Sequence, residues 1–266
     1  MFDRFDRSVN YLRISVTDRC NLRCRYCMPE EGISLMRHED ILSFDEIVEF
    51  TKAAVDREII KVRLTGGEPL VRKGIVSLVS MISGIDGISD LSMTTNGQLL
   101  GIFARDLKKA GLHRVNVSLD AINSGRYSYI TRGGNINYVL DGIKSAQDEG
   151  LTPVKINCVI RESKNEKDAK EVQEYCHKNN FEIRFIRQMD LVSGQFSVII
   201  GGSGGDCSKC NRLRLTSNGF LMPCLFNDIG INIRTTDYGE AIEKAVKVKP
   251  EHGSNNLSGK FYNIGG

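Results

Sequence analysis

Two groups of three cysteines carry the strongest chemical signal in this sequence. Cys20, Cys24 and Cys27 form C-x3-C-x2-C, and Cys207, Cys210 and Cys224 form C-x2-C-x13-C. The opening Met1-Phe2-Asp3-Arg4 holds no apolar core, so no secretory signal is read and a cytoplasmic setting is expected. Thiols stay reduced there, so clustered cysteines point to metal or redox chemistry rather than disulfides. A closed zinc site takes four ligands, and each group offers three. Three thiolates around a cubane iron–sulfur cluster leave one iron open to a chelating small molecule. The three-residue gap in the first group speaks against zinc, which favours C-x2-C pairs. The second group, taken alone, fits zinc as well as a cluster. Cys158 and Cys176 fall in apolar runs and read as ordinary buried cysteines.

Basic residues supply the second signal. In Asn211-Arg212-Leu213-Arg214-Leu215 an extended backbone puts Arg212 and Arg214 on one face, a fork for phosphate oxygens. A solvated strand edge is the competing reading. Arg13, Arg63 and Lys155 lie inside predicted strands, where an inward charge is costly unless a ligand or partner meets it. Gly66-Gly67-Glu68-Pro69 reads as a tight turn.

Strands are predicted at Tyr11–Thr17, Lys61–Thr65, Leu91–Thr95, Arg114–Leu119, Val154–Ile160 and Ile183–Ile186. Helices fall between them. Ser43 and Glu46 form a capping box ahead of one, and others cover Ile102–Ala110, Tyr138–Glu149, Asp168–Lys178 and Tyr238–Lys247. Six β–α repeats imply parallel strands with right-handed crossovers, in an open doubly wound sheet or a curved partial barrel. Polar motifs follow nearly every strand, which favours a barrel whose strand ends converge on one mouth. The expected fold is α/β: an incomplete (β/α)6 TIM-like barrel over residues 1–188, then a smaller cluster-binding C-terminal region over 189–266. Gly201-Gly202-Ser203-Gly204-Gly205 reads as a flexible linker. With 41% hydrophobic residues the 266-residue chain can bury a core, which excludes a disordered protein. Its apolar runs, such as Val198–Ile200, fall far short of the roughly 18 residues of a membrane span. Thirty-six Lys and Arg against 33 Asp and Glu leave +3, too little for a general nucleic-acid coat.

The loop from Cys20 to Pro29 resembles the cluster loop of radical S-adenosylmethionine (SAM) enzymes, and Gly66-Gly67-Glu68-Pro69 resembles their glycine-rich turn. With Cys207 to Phe226 and the terminal Ile264-Gly265-Gly266, the pattern is similar to the GTP 3′,8-cyclase family, which begins molybdenum-cofactor biosynthesis. This resemblance implies two [4Fe–4S] clusters, on Cys20, Cys24 and Cys27 and on Cys207, Cys210 and Cys224. It implies SAM near Tyr26, Gly67, Ser118 and Met189. It places GTP near Arg13, Arg63, Thr94, Lys155, Arg184, Arg212, Leu213 and Arg214, with Gly265 and Gly266 needed for hydrogen abstraction. Expected partners are GTP, an electron donor, a second copy in a homodimer, and a cyclic pyranopterin monophosphate synthase that receives the product. No nucleic acid or membrane partner is expected. Two departures stand out. The chain is several tens of residues shorter than such enzymes between Met189 and Cys207, which leaves the barrel side more open. Arg187-Gln188 also stands where Glu-Phe is usual. A radical SAM peptide-maturation enzyme, a divergent cyclase and a non-catalytic metal-stabilised scaffold are the competing readings.

Overall fold

The structure, a computed structural model, describes residues 1–258 and 261–264. Six strands lie side by side in chain order, all parallel: β1 (Tyr11–Ser15), β2 (Lys61–Thr65), β3 (Asp90–Thr95), β4 (Arg114–Ser118), β5 (Lys155–Ile160) and β6 (Glu182–Arg187). Helices α1 (Phe44–Val55), α2 (Ile75–Ser83), α3 (Leu100–Lys109), α4 (Ser124–Thr131), α5 (Ile136–Asp148) and α6 (Lys167–Lys178) make the crossovers. Both arms of the capping box open α1, with Glu46 N donating to Ser43 Oγ at 3.1 Å and Ser43 N to Glu46 Oε2 at 2.7 Å.

Strand alternation sorts the residues to two faces. Leu12, Ile14, Val62, Leu64, Met93, Val117 and Cys158 are fully buried and share one core with helix residues such as Phe50, Ile82, Leu107 and Val139. The other face carries Arg13, Arg63, Ser92, Asn116 and Asn157. Sheets of parallel strands are usually apolar on both faces. A polar inner face is sustained only where it meets a ligand or partners of its own.

The chain then returns to the opposite edge. β7 (Arg212–Leu215) pairs parallel with β1, and β8 (Phe220–Met222) and β9 (Ile231–Asn232) add antiparallel strands. The order is β6-β5-β4-β3-β2-β1-β7-β8-β9, an open sheet and not a closed barrel. α7 (Tyr238–Lys247) packs on α1, β8 and β9, and Leu213, Leu215, Leu221 and Ile242 join the same core.

The Gly-rich stretch departs from the expected flexible linker. Phe185 N donates to Ile200 O at 3.0 Å and Ile200 N to Phe185 O at 3.1 Å, so the connector pairs with the outer edge of β6. Ile199 N donates to Gly204 O at 2.8 Å, closing a tight turn. An edge strand has free backbone groups, and the connector satisfies some of them. Among the described residues no helix is long and apolar enough to cross a membrane.

Candidate active site

The loop after β1 brings Cys20, Cys24 and Cys27 to one wall of a cavity at the C-terminal ends of the strands. Cys27 N and Met28 N both donate to Cys24 O, at 2.9 and 3.0 Å. The far end of α4 grips the loop. Arg132, left-handed at φ 54°, donates through Nη1 to Arg23 O at 2.9 Å and Met28 O at 2.8 Å. Nothing in the sequence marks Arg132 for this task, because its partners are backbone carbonyls.

The turn after β2 forms the opposite wall. Gly67 N donates to Thr17 O and Glu68 N to Arg19 O, each at 2.8 Å. A Cβ on Gly67 would stand 2.3 Å from Arg19 O, and one on Gly66 2.7 Å from Thr17 O, so only glycine permits this approach. The buried Glu68 carboxylate ties this turn to the next. Oε1 accepts from Thr95 Oγ1 at 2.7 Å and Leu70 N at 3.0 Å, and Oε2 accepts from Asn96 N at 2.6 Å. Burial pushes its pKa up to about 7 against the pull of these donors. Tyr26 Oη donates to Asp120 Oδ2 and Val159 N to Asp120 Oδ1, each at 2.8 Å. Burial raises Asp120 to about 6, while burial and then the Asp120 charge hold the Tyr26 phenol well above its usual range.

Burial pushes the Cys20 thiol up to about 11 and raises Cys24 and Cys27 as well. Metal binding here must therefore expel protons. Among the described residues no three His, Cys, Asp or Glu side chains close around a single ion. Three thiols along one wall suit a cluster of several irons, whose ligands stand apart, better than one zinc. All four residues expected at SAM, Tyr26, Gly67, Ser118 and Met189, line this cavity.

A second cavity adjoins the first and shares Asn157, Ile186 and Met189 with it. Arg13, Arg63, Arg184, Arg212 and Arg214 line it, together with Cys207, Cys210 and Cys224. Arg13 lies in register with Arg63 on one side and Arg214 on the other. Burial, with the Arg214 charge, holds Arg13 well below the usual arginine range, and burial with Arg212 brings Arg214 down to about 10. Arg63 Nε donates to Ser92 Oγ at 3.1 Å, and its guanidinium lies 5.5 Å from the Tyr11 ring centre. Among the described residues, Tyr11 Oη and Arg184 Nε are buried without a hydrogen-bond partner. Converging cations and orphaned donors fit a multiply charged anion.

Three expected residues stand elsewhere. Thr94 lines the first cavity, its buried Oγ1 without a partner among the described residues. Lys155 lines neither cavity and pairs with Glu182 at 2.6 Å. Leu213 is 1% exposed on the apolar face, leaving only its backbone towards the cavity side. Gly265 and Gly266 lie outside the described residues. Arg187, at the departure from the usual pattern, is exposed at the rim of the first cavity and donates to Glu162 O at 2.7 Å.

Residues 14–176 match the radical SAM superfamily. A GTP 3′,8-cyclase of Petrotoga mobilis is 38% identical over 314 residues, covering 98% of this chain and 95% of that protein. One from Moorella thermoacetica is 41% identical over 306 residues, covering 95% of each. The chain belongs to the GTP 3′,8-cyclase family of radical SAM enzymes. Membership brings a [4Fe–4S] cluster and SAM with it. The 314 aligned positions outnumber the ~261 residues that 98% of this chain supplies, so about fifty positions have no counterpart here. Among solved structures, Streptococcus suis SuiB bound to its precursor peptide SuiA has a TM-score of 0.65 at 18% identity, covering 88% of this chain and 64% of that one. Native anSMEcpe with bound AdoMet also scores 0.65, at 16% identity, covering 91% and 81%. These likenesses show the fold.

Proposed function

We propose that this chain converts GTP to (8S)-3′,8-cyclo-7,8-dihydroguanosine 5′-triphosphate, the first step of molybdenum-cofactor biosynthesis. The observation that carries it is the junction of two cavities. A three-thiol wall faces SAM-type residues on one side, and six arginines, one of them (Arg114) paired with Asp90, line the cavity of a second three-thiol set on the other. A peptide substrate shares the fold but would not call for so many buried guanidiniums.

In this reading Cys20, Cys24 and Cys27 would hold the cluster, which together with SAM would supply the radical chemistry. Gly66 and Gly67 set the backbone against which the methionyl end of SAM lies. The arginines hold the triphosphate, and each charge-assisted hydrogen bond contributes about 1.5–3 kcal/mol. Asn157, Ile186 and Met189, which line both cavities, would bring the ribose of bound GTP up to the SAM side. Cys207, Cys210 and Cys224 hold a second [4Fe–4S] cluster beside the purine. Residues 1–188 thus form the partial barrel and supply Arg13, Arg63 and Arg184 to the second cavity, and residues 189–266 supply the second cysteine set with Arg212 and Arg214. Ile264, 3% exposed, is buried among Leu191, Leu225 and Phe226 beside Cys224, which supports a role for the adjoining Gly265 and Gly266 at this cavity. The proposal extends to a homodimer, an external electron donor and delivery of the product to a cyclic pyranopterin monophosphate synthase.

Anaerobic reconstitution followed by SAM, reductant and GTP tests the reading. Cyclised nucleotide is expected from the wild-type chain. Cys24→Ala is expected to abolish SAM cleavage, and Cys210→Ala to cleave SAM without forming product. Full cyclisation by Cys210→Ala would sink the second site.

A further inference from the structure

Lysine is rarely buried without a charged partner. Lys249 is 1% exposed, and among the described residues no carboxylate pairs with it. Its Nζ donates to Arg212 O and Pro223 O, each at 2.7 Å, and also hydrogen-bonds Cys210. The ammonium has three donors, and this set employs them all. The two carbonyls flank the cysteine set, one just past Cys210 and the other just before Cys224. One ammonium therefore pins both cysteine-bearing segments.

Arg7 holds the third. Its Nη1 donates to Cys207 O at 2.7 Å and Glu251 O at 2.9 Å, and Nη2 donates to Pro250 O at 2.7 Å. Asp3 neutralises Arg7 through Nε at 2.7 Å. Lys249 has only neutral carbonyls and the thiols. A buried ammonium so placed is costly until something anionic faces it. The first cysteine set is built differently, since Cys20 Sγ accepts only from the neutral donors Leu22 N at 3.4 Å and Asn96 Nδ2 at 3.8 Å.

We propose that Lys249 is a positioning residue that holds the second cysteine set and raises the reduction potential of the cluster bound there. The inference rests on reading Cys207, Cys210 and Cys224 as a cluster site. A fixed positive charge with an N–H directed at sulfur favours the more negative, reduced form of an iron–sulfur cluster. The first set's loop is held by Arg132 through the carbonyls of Arg23 and Met28, but among the described residues no cation acts on Cys20 or Cys24 as Lys249 acts on Cys210 and Cys224, so the two sites differ in their electrostatics.

The test uses the full chain carrying Cys24→Ala, reconstituted anaerobically, so that the titrated signal belongs to the second site. Iron retained by this chain and lost on adding Cys210→Ala establishes that site, and no retained iron overturns the cluster reading itself. Lys249→Met is then introduced and the cluster is titrated potentiometrically with electron paramagnetic resonance detection. The midpoint is expected to move to more negative potential by about the 59 mV that changes a one-electron equilibrium tenfold. Lys249→Arg, which keeps the charge, is expected to restore most of the shift. If Lys249→Met fails to load, Lys249→Gln keeps N–H donors without charge and is read in the same way. A midpoint unchanged in the neutral variant overturns the proposal.

Discussion

Glu68 shows how one side chain organises the SAM wall. Its two oxygens collect donors from Leu70, Thr95 and Asn96, so the turns after β2 and β3 move as one piece. Its pKa rises from the ordinary 4.5 to about 7. Between those values the folded chain keeps a proton that the unfolded chain has released, so this group's contribution to stability falls as pH rises through the window. Gln at 68 cannot titrate. Wild-type stability relative to Glu68→Gln is therefore expected to drop between pH 5 and 8, by on the order of 3 kcal/mol at about 1.4 kcal/mol per unit. Urea midpoints compared at equal metal loading check this, and a pH-independent difference refutes it. Gly67→Ala drives a methyl group into Arg19 O. The turn must shift, at a cost of about 1–3 kcal/mol. Equilibrium dialysis is expected to show SAM affinity at least about tenfold lower, the effect of 1.4 kcal/mol.

At the scale of elements, β7 decides what the second cavity binds. Its pairing with β1 aligns Arg214 with Arg13, which is itself aligned with Arg63. Like charges opposite one another destabilise a sheet. The strands hold these cations together, and in the proposed reading a triphosphate offsets the cost. Arg214→Ala is expected to weaken GTP binding by about 2–5 kcal/mol, the usual loss on truncating one side of a desolvated charge pair. SAM affinity should stay within a factor of two. Calorimetry with each ligand separates the outcomes, and equal losses for both would mean that the C-terminal strands had unfolded.

Considered whole, the molecule works only if its two cavities communicate, and they do so past Asn157, Ile186 and Met189. Ile186→Trp would fill that junction. The variant should still bind SAM and GTP, because the cysteine loop and the arginines lie to either side. Product formed per SAM cleaved is expected to fall by about 100-fold, the scale of loss when reacting groups are displaced by an ångström. Undiminished coupling would show that the reacting atoms meet elsewhere. The connector enters at this scale too. It pairs with β6 and lines the second cavity through Ser197, Ile199 and Gly202–Gly205.

Local rules made much of this protein legible beforehand. Alternation located β1 to β6 within one or two residues, the Ser43–Glu46 box opened α1, and the cysteine spacing selected the cluster loop. Those signals are local, because strand period, capping and ligand spacing are all written within a few residues. The helices α2 and α4 carried weaker marks. α2 starts at Gly74 with no side-chain cap, and α4 has little amphipathic contrast. Other features depended on contacts between distant residues. Lys155 sits in an expected strand and Leu213 in a segment read as extended, yet β7 alternation sends Leu213 to the core and Glu182 pairs with Lys155, which lines neither cavity. Arg132, Asp120, Arg7 and Lys249 left no motif, because they act on backbone carbonyls or on side chains far away in sequence. The sequence alone determined the strand faces, the thiol sets and the family pattern. The tertiary structure decided which charges converge, because convergence depends on strand order and register, and β7 joins β1 across about three quarters of the chain.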